Sequence, residues 1–184
     1  LRVRLQAPQI DAQEDEPFAL PGLAHYRLSQ RVTQADSAEQ ALQLLRLGGE
    51  LALGGFGELQ ARGLLRERET LLSHWDDLDA QWPQPLPPGR LTLTLTDTAP
   101  VQRLHAAWGE SAHPLWRCRE DGHRLQAQWR NGNVWQGTRR RQPRIDTLVD
   151  LWLGHLASCA SGVATTSVLI GLDGRLMLTP LSAD

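Results

Sequence analysis

The most constraining feature of this sequence is that its hydrophobic period changes three times. From about Ser37 to Trp82 apolar residues recur at helical spacing, whereas from Arg90 onward Leu91, Leu93 and Leu95 alternate with Thr92, Thr94 and Thr96. Helical spacing returns at Ile145 and gives way to short apolar runs after Thr165. A chain that supplies helices, then strands, then a helix, then strands buries both kinds of apolar surface by laying helices on a mixed sheet. The expected class is therefore α/β in the α+β sense. With 184 residues, 41% of them hydrophobic, one core is enough, and a single domain over 1–184 is expected.

Along the chain, residues 8–24 hold three prolines and the acidic cluster Asp11, Glu14, Asp15 and Glu16, and they read as an irregular surface connection. Ser37 with Gln40 forms a capping box ahead of a helix whose Ala38, Ala41, Leu42 and Leu45 share one face, and Gly48-Gly49 stops it. A longer helix is predicted from about Phe56 to Trp82, with Leu71, Trp75 and Leu78 on one side. The intervening Gly54-Gly55-Phe56-Gly57 lacks the Lys-Ser/Thr ending of a phosphate-binding loop and reads as a tight helix entry. Leu125, Ala127 and Trp129 begin a predicted hairpin that turns at Asn131-Gly132 and returns over 133–138. Ile145, Leu148, Val149, Trp152, Leu156 and Cys159 form an apolar stripe predicted to bury its Trp152 face against the sheet. A second hairpin runs from Thr165–Ile170 through Asp173-Gly174 to Leu176–Leu178.

No run approaches the roughly 18 apolar residues of a membrane span, and no charged-then-apolar leader opens the sequence. The opening alternation of Leu1, Val3 and Leu5 with Arg2 and Arg4 reads as a strand entered mid-course, so a fragment of a longer polypeptide is expected. Cys118 and Cys159 spell out neither a disulfide framework nor a metal site, and a cytoplasmic location fits that usage. His105, His113 and His123 match no ligand spacing, and no metal or cofactor is expected. Net charge is −2, yet residues 117–144 carry eight arginines against Glu120 and Asp121. All 19 basic residues are Arg, which removes any chemistry that depends on lysine.

Three stretches together resemble the RecC family: Glu14-Asp15-Glu16-Pro17-Phe18-Ala19-Leu20 with Gly22-Leu23 and Tyr26-Arg27-Leu28; residues 49–58; and Leu151-Trp152-Leu153-Gly154-His155-Leu156 continuing into Cys159-Ala160-Ser161-Gly162. Pro180-Leu181 near the end is also similar, residues 97–133 match poorly, and Ala52 stands where the family has Pro. The resemblance is to the carboxy-terminal domain of the gamma subunit of exodeoxyribonuclease V. It implies a restriction-endonuclease-like fold similar to the nuclease domain of RecB, without its catalytic set. It also implies RecB-like and RecD-like partners and a place where duplex DNA is split.

The residues themselves bear on the enzyme question. A nuclease of that fold needs acidic ligands for a hard cation and a Lys or substitute near the attacked phosphate. Neither strand of the predicted hairpin carries a carboxylate, and there is no Lys, so no catalytic residue is assigned. The candidate binding residues are Arg130, Trp135, Arg139, Arg140, Arg141 and Arg144, where guanidinium groups and aromatic faces suit phosphates and unstacked bases. The same stretch also reads as a solvated charged edge. The expected function is a non-catalytic structural and DNA-handling module. The alternatives are a pure subunit-docking domain and a divergent active nuclease.

Overall fold

The computed structural model describes residues 22–86, 89–95, 102–108, 115–137 and 141–181; for 89–95, 102–108 and Leu115 the description is of the backbone alone. Among the described residues three helices come first: α1 (Gly22–Gln34), α2 (Ala38–Leu47) and α3 (Gly54–Gln81). Strands β1 (Gln84–Pro85), β2 (Gly89–Leu95), β3 (Gln102–Trp108), β4 (Leu115–Cys118), β5 (Arg124–Trp129), β6 (Trp135–Gln136) and β7 (Gln142–Pro143) follow. A 3-10 turn (Ile145–Thr147), helix α4 (Val149–Ala160) and strands β8 (Thr165–Gly171) and β9 (Gly174–Leu178) complete the order.

The main sheet has five strands in the order β1-β4-β5-β8-β9. Neighbours are antiparallel except β5 and β8, which run parallel with Arg124 opposite Thr165 and Trp129 opposite Ile170. A parallel pair needs a crossover, and α4 supplies it. Side chains alternate across the sheet. Leu125, Ala127, Val168 and Ile170 meet Leu71 and Leu78 of α3 and Trp82 at its C-cap, while Leu169 and Leu176 meet Leu151 of α4 on the other face. The result is a helix-sheet-helix sandwich, and the mixed sheet flanked by helices matches the expected class.

A separate cluster holds α1, α2 and the start of α3 together through Leu28, Val32, Leu42, Leu45, Leu51 and Leu64. Helix α2 begins as the sequence indicates: the Ser37 hydroxyl accepts the Gln40 amide at 3.2 Å. The glycine corner is the first turn of α3, and it is there because the chain doubles back on itself. A Cβ placed on Gly57 would lie 1.9 Å from the Ala52 carbonyl oxygen.

Three expectations are corrected. Residues 22–24 belong to α1 rather than to an irregular connection; the remainder of 8–24 lies outside the described residues. One buried position of α1, Ser29, is polar, and His25 one turn before it is half-exposed. The Ser29 hydroxyl donates to Glu67 and the His25 ring meets the same carboxylate at 2.8 Å, so the apolar period is interrupted where the helix packs.

The hairpin at Asn131-Gly132 does not form. Strand β5 instead pairs antiparallel with β4 through a turn at Gly122, which takes φ 81°, while Gly132 is not among the glycines at positive φ that a two-residue primed turn requires. Asn131 is buried, and its amide donates to the Ser29 and Thr33 hydroxyls at 2.9 and 2.6 Å, tying the end of β5 to α1. Trp129 accordingly faces α3, with its ring 5.7 Å from that of Trp75.

The inner face of α4 is also not the predicted stripe. Leu151, His155, Ala157 and Ser158 are buried, whereas Trp152 is 44% exposed and Ile145 is 73% exposed. The inward line is rotated by one residue from the apolar stripe because its members include a histidine and a serine, which a count of apolar residues passes over. Leu148 and Leu178 back the exposed side, where with Ile145, Val149 and Trp152 they line an apolar groove of about 300 Å³.

Candidate functional site

Two places carry chemistry-bearing side chains. The first is buried between α4 and β8, where His155 Nδ1 lies 3.0 Å from the Ser167 hydroxyl and the hydroxyl lies 3.3 Å from Gln126 Oε1. His155 Nε2 lies 3.8 Å from Cys159 Sγ, one helical turn away. His155 is only 1% exposed. Burial holds its imidazole below the ordinary value of 6.5, partly offset by a hydrogen bond to the Thr179 backbone. A ring that resists protonation is a poor acceptor for the Cys159 proton, and Ser167 is fully buried, so the arrangement reads as a satisfied polar network of the core.

That burial has a pH consequence. Because the folded pKa lies below the unfolded one, acidification protonates the unfolded chain first. The histidine's contribution is complete above pH 6.5 and is lost as pH falls below it. Urea denaturation at several values between about pH 7.5 and 5.5 is expected to show stability declining in that window, with a shallower decline in His155→Gln.

The second place lies at the carboxyl ends of the parallel strands β5 and β8. Arg130 extends β5 by donating its backbone amide to the Ile170 carbonyl at 2.8 Å. The chain then crosses under the β8-β9 turn, where the Leu172 amide donates to the Gly132 carbonyl at 3.0 Å. It forms a small antiparallel ribbon, β6 with β7, in which Trp135 is opposite Pro143. The Arg144 amide donates to the Val134 carbonyl at 2.9 Å and closes the ribbon's base. Asp173, in the β8-β9 turn, accepts the Val134 amide at 2.8 Å and the Trp135 amide at 3.2 Å through its two oxygens.

This geometry sorts the candidate residues. Arg141 is exposed on the ribbon. Arg144 is half-buried, with its guanidinium 3.7 Å from the exposed Asp146 carboxylate. Trp135 is half-buried against the Val134, Leu151, Leu169 and Leu176 cluster, so its ring is partly committed to the core. Arg130 stands at the start of the segment, half-buried. The Nε groups of Arg130 and Arg144 are buried without a hydrogen-bonding partner among the described residues. Arg139 and Arg140 lie outside the described residues. The structure therefore brings Trp135, Arg141 and Arg144 onto one ribbon and leaves Arg130 at its root.

Asp173 has no signal of this role in the sequence. Asp-Gly signals a turn, and nothing local says that the carboxylate leaves its own turn to hold a segment about 40 residues upstream. Among the histidines, His123 Nε2 sits 2.9 Å from the Thr166 hydroxyl, His105 is described only as backbone, and His113 lies outside the described residues. Among the described residues, no group of three His, Cys, Asp or Glu side chains is placed to hold a metal ion, and no helix is long and apolar enough to cross a membrane.

Fold and site together define a mixed α/β domain with helices on both faces and an arginine-bearing ribbon at the ends of its parallel strands. The chain belongs to the RecC C-terminal domain family, which matches residues 1–183. It is 27% identical over 191 residues to the RecBCD enzyme subunit RecC of Escherichia coli (strain K12), a match covering 100% of this chain and 14% of that protein. The chain thus spans about one seventh of the length of the curated relative that it matches.

Proposed function

We propose that this domain is a non-catalytic structural and DNA-handling module of an exodeoxyribonuclease V-type helicase-nuclease. In that setting it works in the cytoplasm with RecB-like and RecD-like partners in double-strand break repair by homologous recombination. The observation that carries the reading is the ribbon bearing Arg141 and Arg144, seated where β5 and β8 end. Open α/β sheets commonly bind ligands outside the carboxyl ends of their parallel strands, and guanidinium groups there suit phosphates. Arg139 and Arg140 belong to the same stretch of sequence and join the proposal, as do Arg130 and Trp135 at its root.

The restriction-endonuclease-like fold is part of the same proposal. A helix, an antiparallel run of three strands, a crossover helix and a parallel strand support it. In that fold the paired strands would carry the metal-binding carboxylates. Here β4 reads Leu-Trp-Arg-Cys and β5 reads Arg-Leu-Gln-Ala-Gln-Trp. On β5 the residues of the α4 face are Arg124, Gln126 and Gln128, two neutral amides and a guanidinium, none of which is an acidic ligand for a hard cation. Paired strands without carboxylates support a module without cleavage chemistry of its own.

A second reading, docking of a partner subunit without DNA binding, is favoured by the exposed Ile145, Val149, Trp152 and Leu153 beside the ribbon. Exposed contiguous apolar surface of that kind commonly marks a protein interface. The double variant Arg141→Ala/Arg144→Ala in the assembled complex separates the two. If the ribbon meets DNA, the log-log salt slope of binding falls by roughly 0.7 to 0.9 for each phosphate that is no longer neutralised. If it meets protein, assembly is impaired while the assembled fraction keeps the parent slope. A double variant that assembles and binds like the parent would leave the ribbon as a solvated charged edge.

A further inference from the structure

We propose that Asp173 is the positioning residue of the basic ribbon, fixing where Arg141 and Arg144 stand relative to the sheet; this rests on the DNA-handling reading above. The β6-β7 pairing covers only Trp135–Gln136 and Gln142–Pro143, too short to hold its own orientation. Two-stranded ribbons are marginal in water even when longer. What holds this one lies outside it. Asp173 takes the two consecutive amides of Val134 and Trp135 with its two carboxylate oxygens. Hydrogen bonds to an ionised acceptor are about twice as strong as neutral ones, and a carboxylate shared between adjacent amides fixes direction as well as distance.

The surrounding backbone makes the seat specific to this turn. Gly171 has no room for a side chain: a Cβ there would lie 2.6 Å from Val134 Cγ1 and 2.7 Å from the Gly132 carbonyl oxygen. At Gly174, which takes φ 132°, a Cβ would lie 3.6 Å from the Trp135 ring nitrogen. The turn thus presents two bare backbone positions against the segment and one carboxylate that grips it. The carboxylate has a cost for a surface meant to meet phosphates, since it brings negative charge near the arginines. Bonding to the two amides occupies both oxygens, and the charge holds the ribbon in place.

The test uses the full-length protein in its complex, with Asp173→Ala and Asp173→Asn beside Arg141→Ala/Arg144→Ala. Hydrogen exchange is expected to rise in peptides covering 132–144 of Asp173→Ala, with β8 and α3 protected as in the parent. Duplex-DNA binding by that variant is expected to lose salt slope comparable to that of the double arginine variant, although both arginines remain. Asp173→Asn, which keeps one acceptor oxygen, is expected to fall between. If the double arginine variant loses slope and Asp173→Ala keeps the parent slope despite faster exchange, the positioning role is wrong and the DNA reading stands. If exchange over 132–144 is unchanged in Asp173→Ala, the anchoring itself is refuted. If the double arginine variant keeps the parent slope, the DNA reading fails and takes the positioning role with it.

Discussion

Replacing Leu151 by Ala is expected to lower the unfolding free energy by about 2 to 5 kcal/mol, whereas replacing its neighbour Trp152 by Ala costs clearly less. The apolar stripe read from the sequence predicts the reverse, since it gives Trp152 the core position and a loss of about 3 to 5 kcal/mol. Leu151 is fully buried and joins Val134, Leu169 and Leu176 in the cluster beneath α4. Its removal opens a cavity that a helix pinned by its own backbone fills poorly. Trp152, 44% exposed at the rim of the groove, gives up a smaller buried area when truncated. Urea denaturation of the two variants checks the order: a larger loss for Trp152→Ala than for Leu151→Ala would show that α4 is rotated from the orientation described.

Gly57→Ala is expected to cost about 3 kcal/mol, at the upper end of ordinary overpacking penalties. The atom that a new Cβ meets at 1.9 Å is the carbonyl oxygen of Ala52, so no flexible side chain can swing away. Relief requires the start of α3 to separate from the 50–53 turn. That movement would disturb the Ala52 amide, which donates to Gln60 Oε1 at 2.9 Å, and the Arg46–Glu58 pair at 2.9 Å. The disturbance is expected to stay within the α1-α2-α3 cluster, because β5 and β8 pack against the far half of α3. Hydrogen exchange that increases across α2 and the first turns of α3, with the sheet unchanged, is the expected pattern. A melting temperature equal to that of the parent would contradict the close approach.

The physical reasons for what was legible in the sequence are local. The Ser37 cap and the Leu71-Leu78 face of α3 are written in contiguous residues. So is the β8-β9 hairpin, and the chain folds them as written. The misreadings share another origin: a polar residue takes an inward position because a partner distant in sequence satisfies it. Ser29 faces inward because Glu67 and Asn131 receive it; His155 does so because Ser167 waits on β8. Asn131-Gly132 has the local chemistry of a tight turn, yet the asparagine is spent on α1, more than 95 residues upstream. The candidate site divides in the same way. Its arginines are visible as a cluster in the sequence, while the ribbon that carries Arg141 and Arg144, and the Asp173 carboxylate that holds it, are long-range arrangements.

The most direct test of the DNA-handling role is a structure of the intact complex on forked DNA. The ribbon's Trp135–Gln136 and 141–144 stretches are expected to face nucleic acid, with guanidinium groups within hydrogen-bonding reach of backbone phosphates and no divalent cation held between β4 and β5. DNA running elsewhere, with the ribbon turned to solvent or sealed beneath another subunit, would contradict that role.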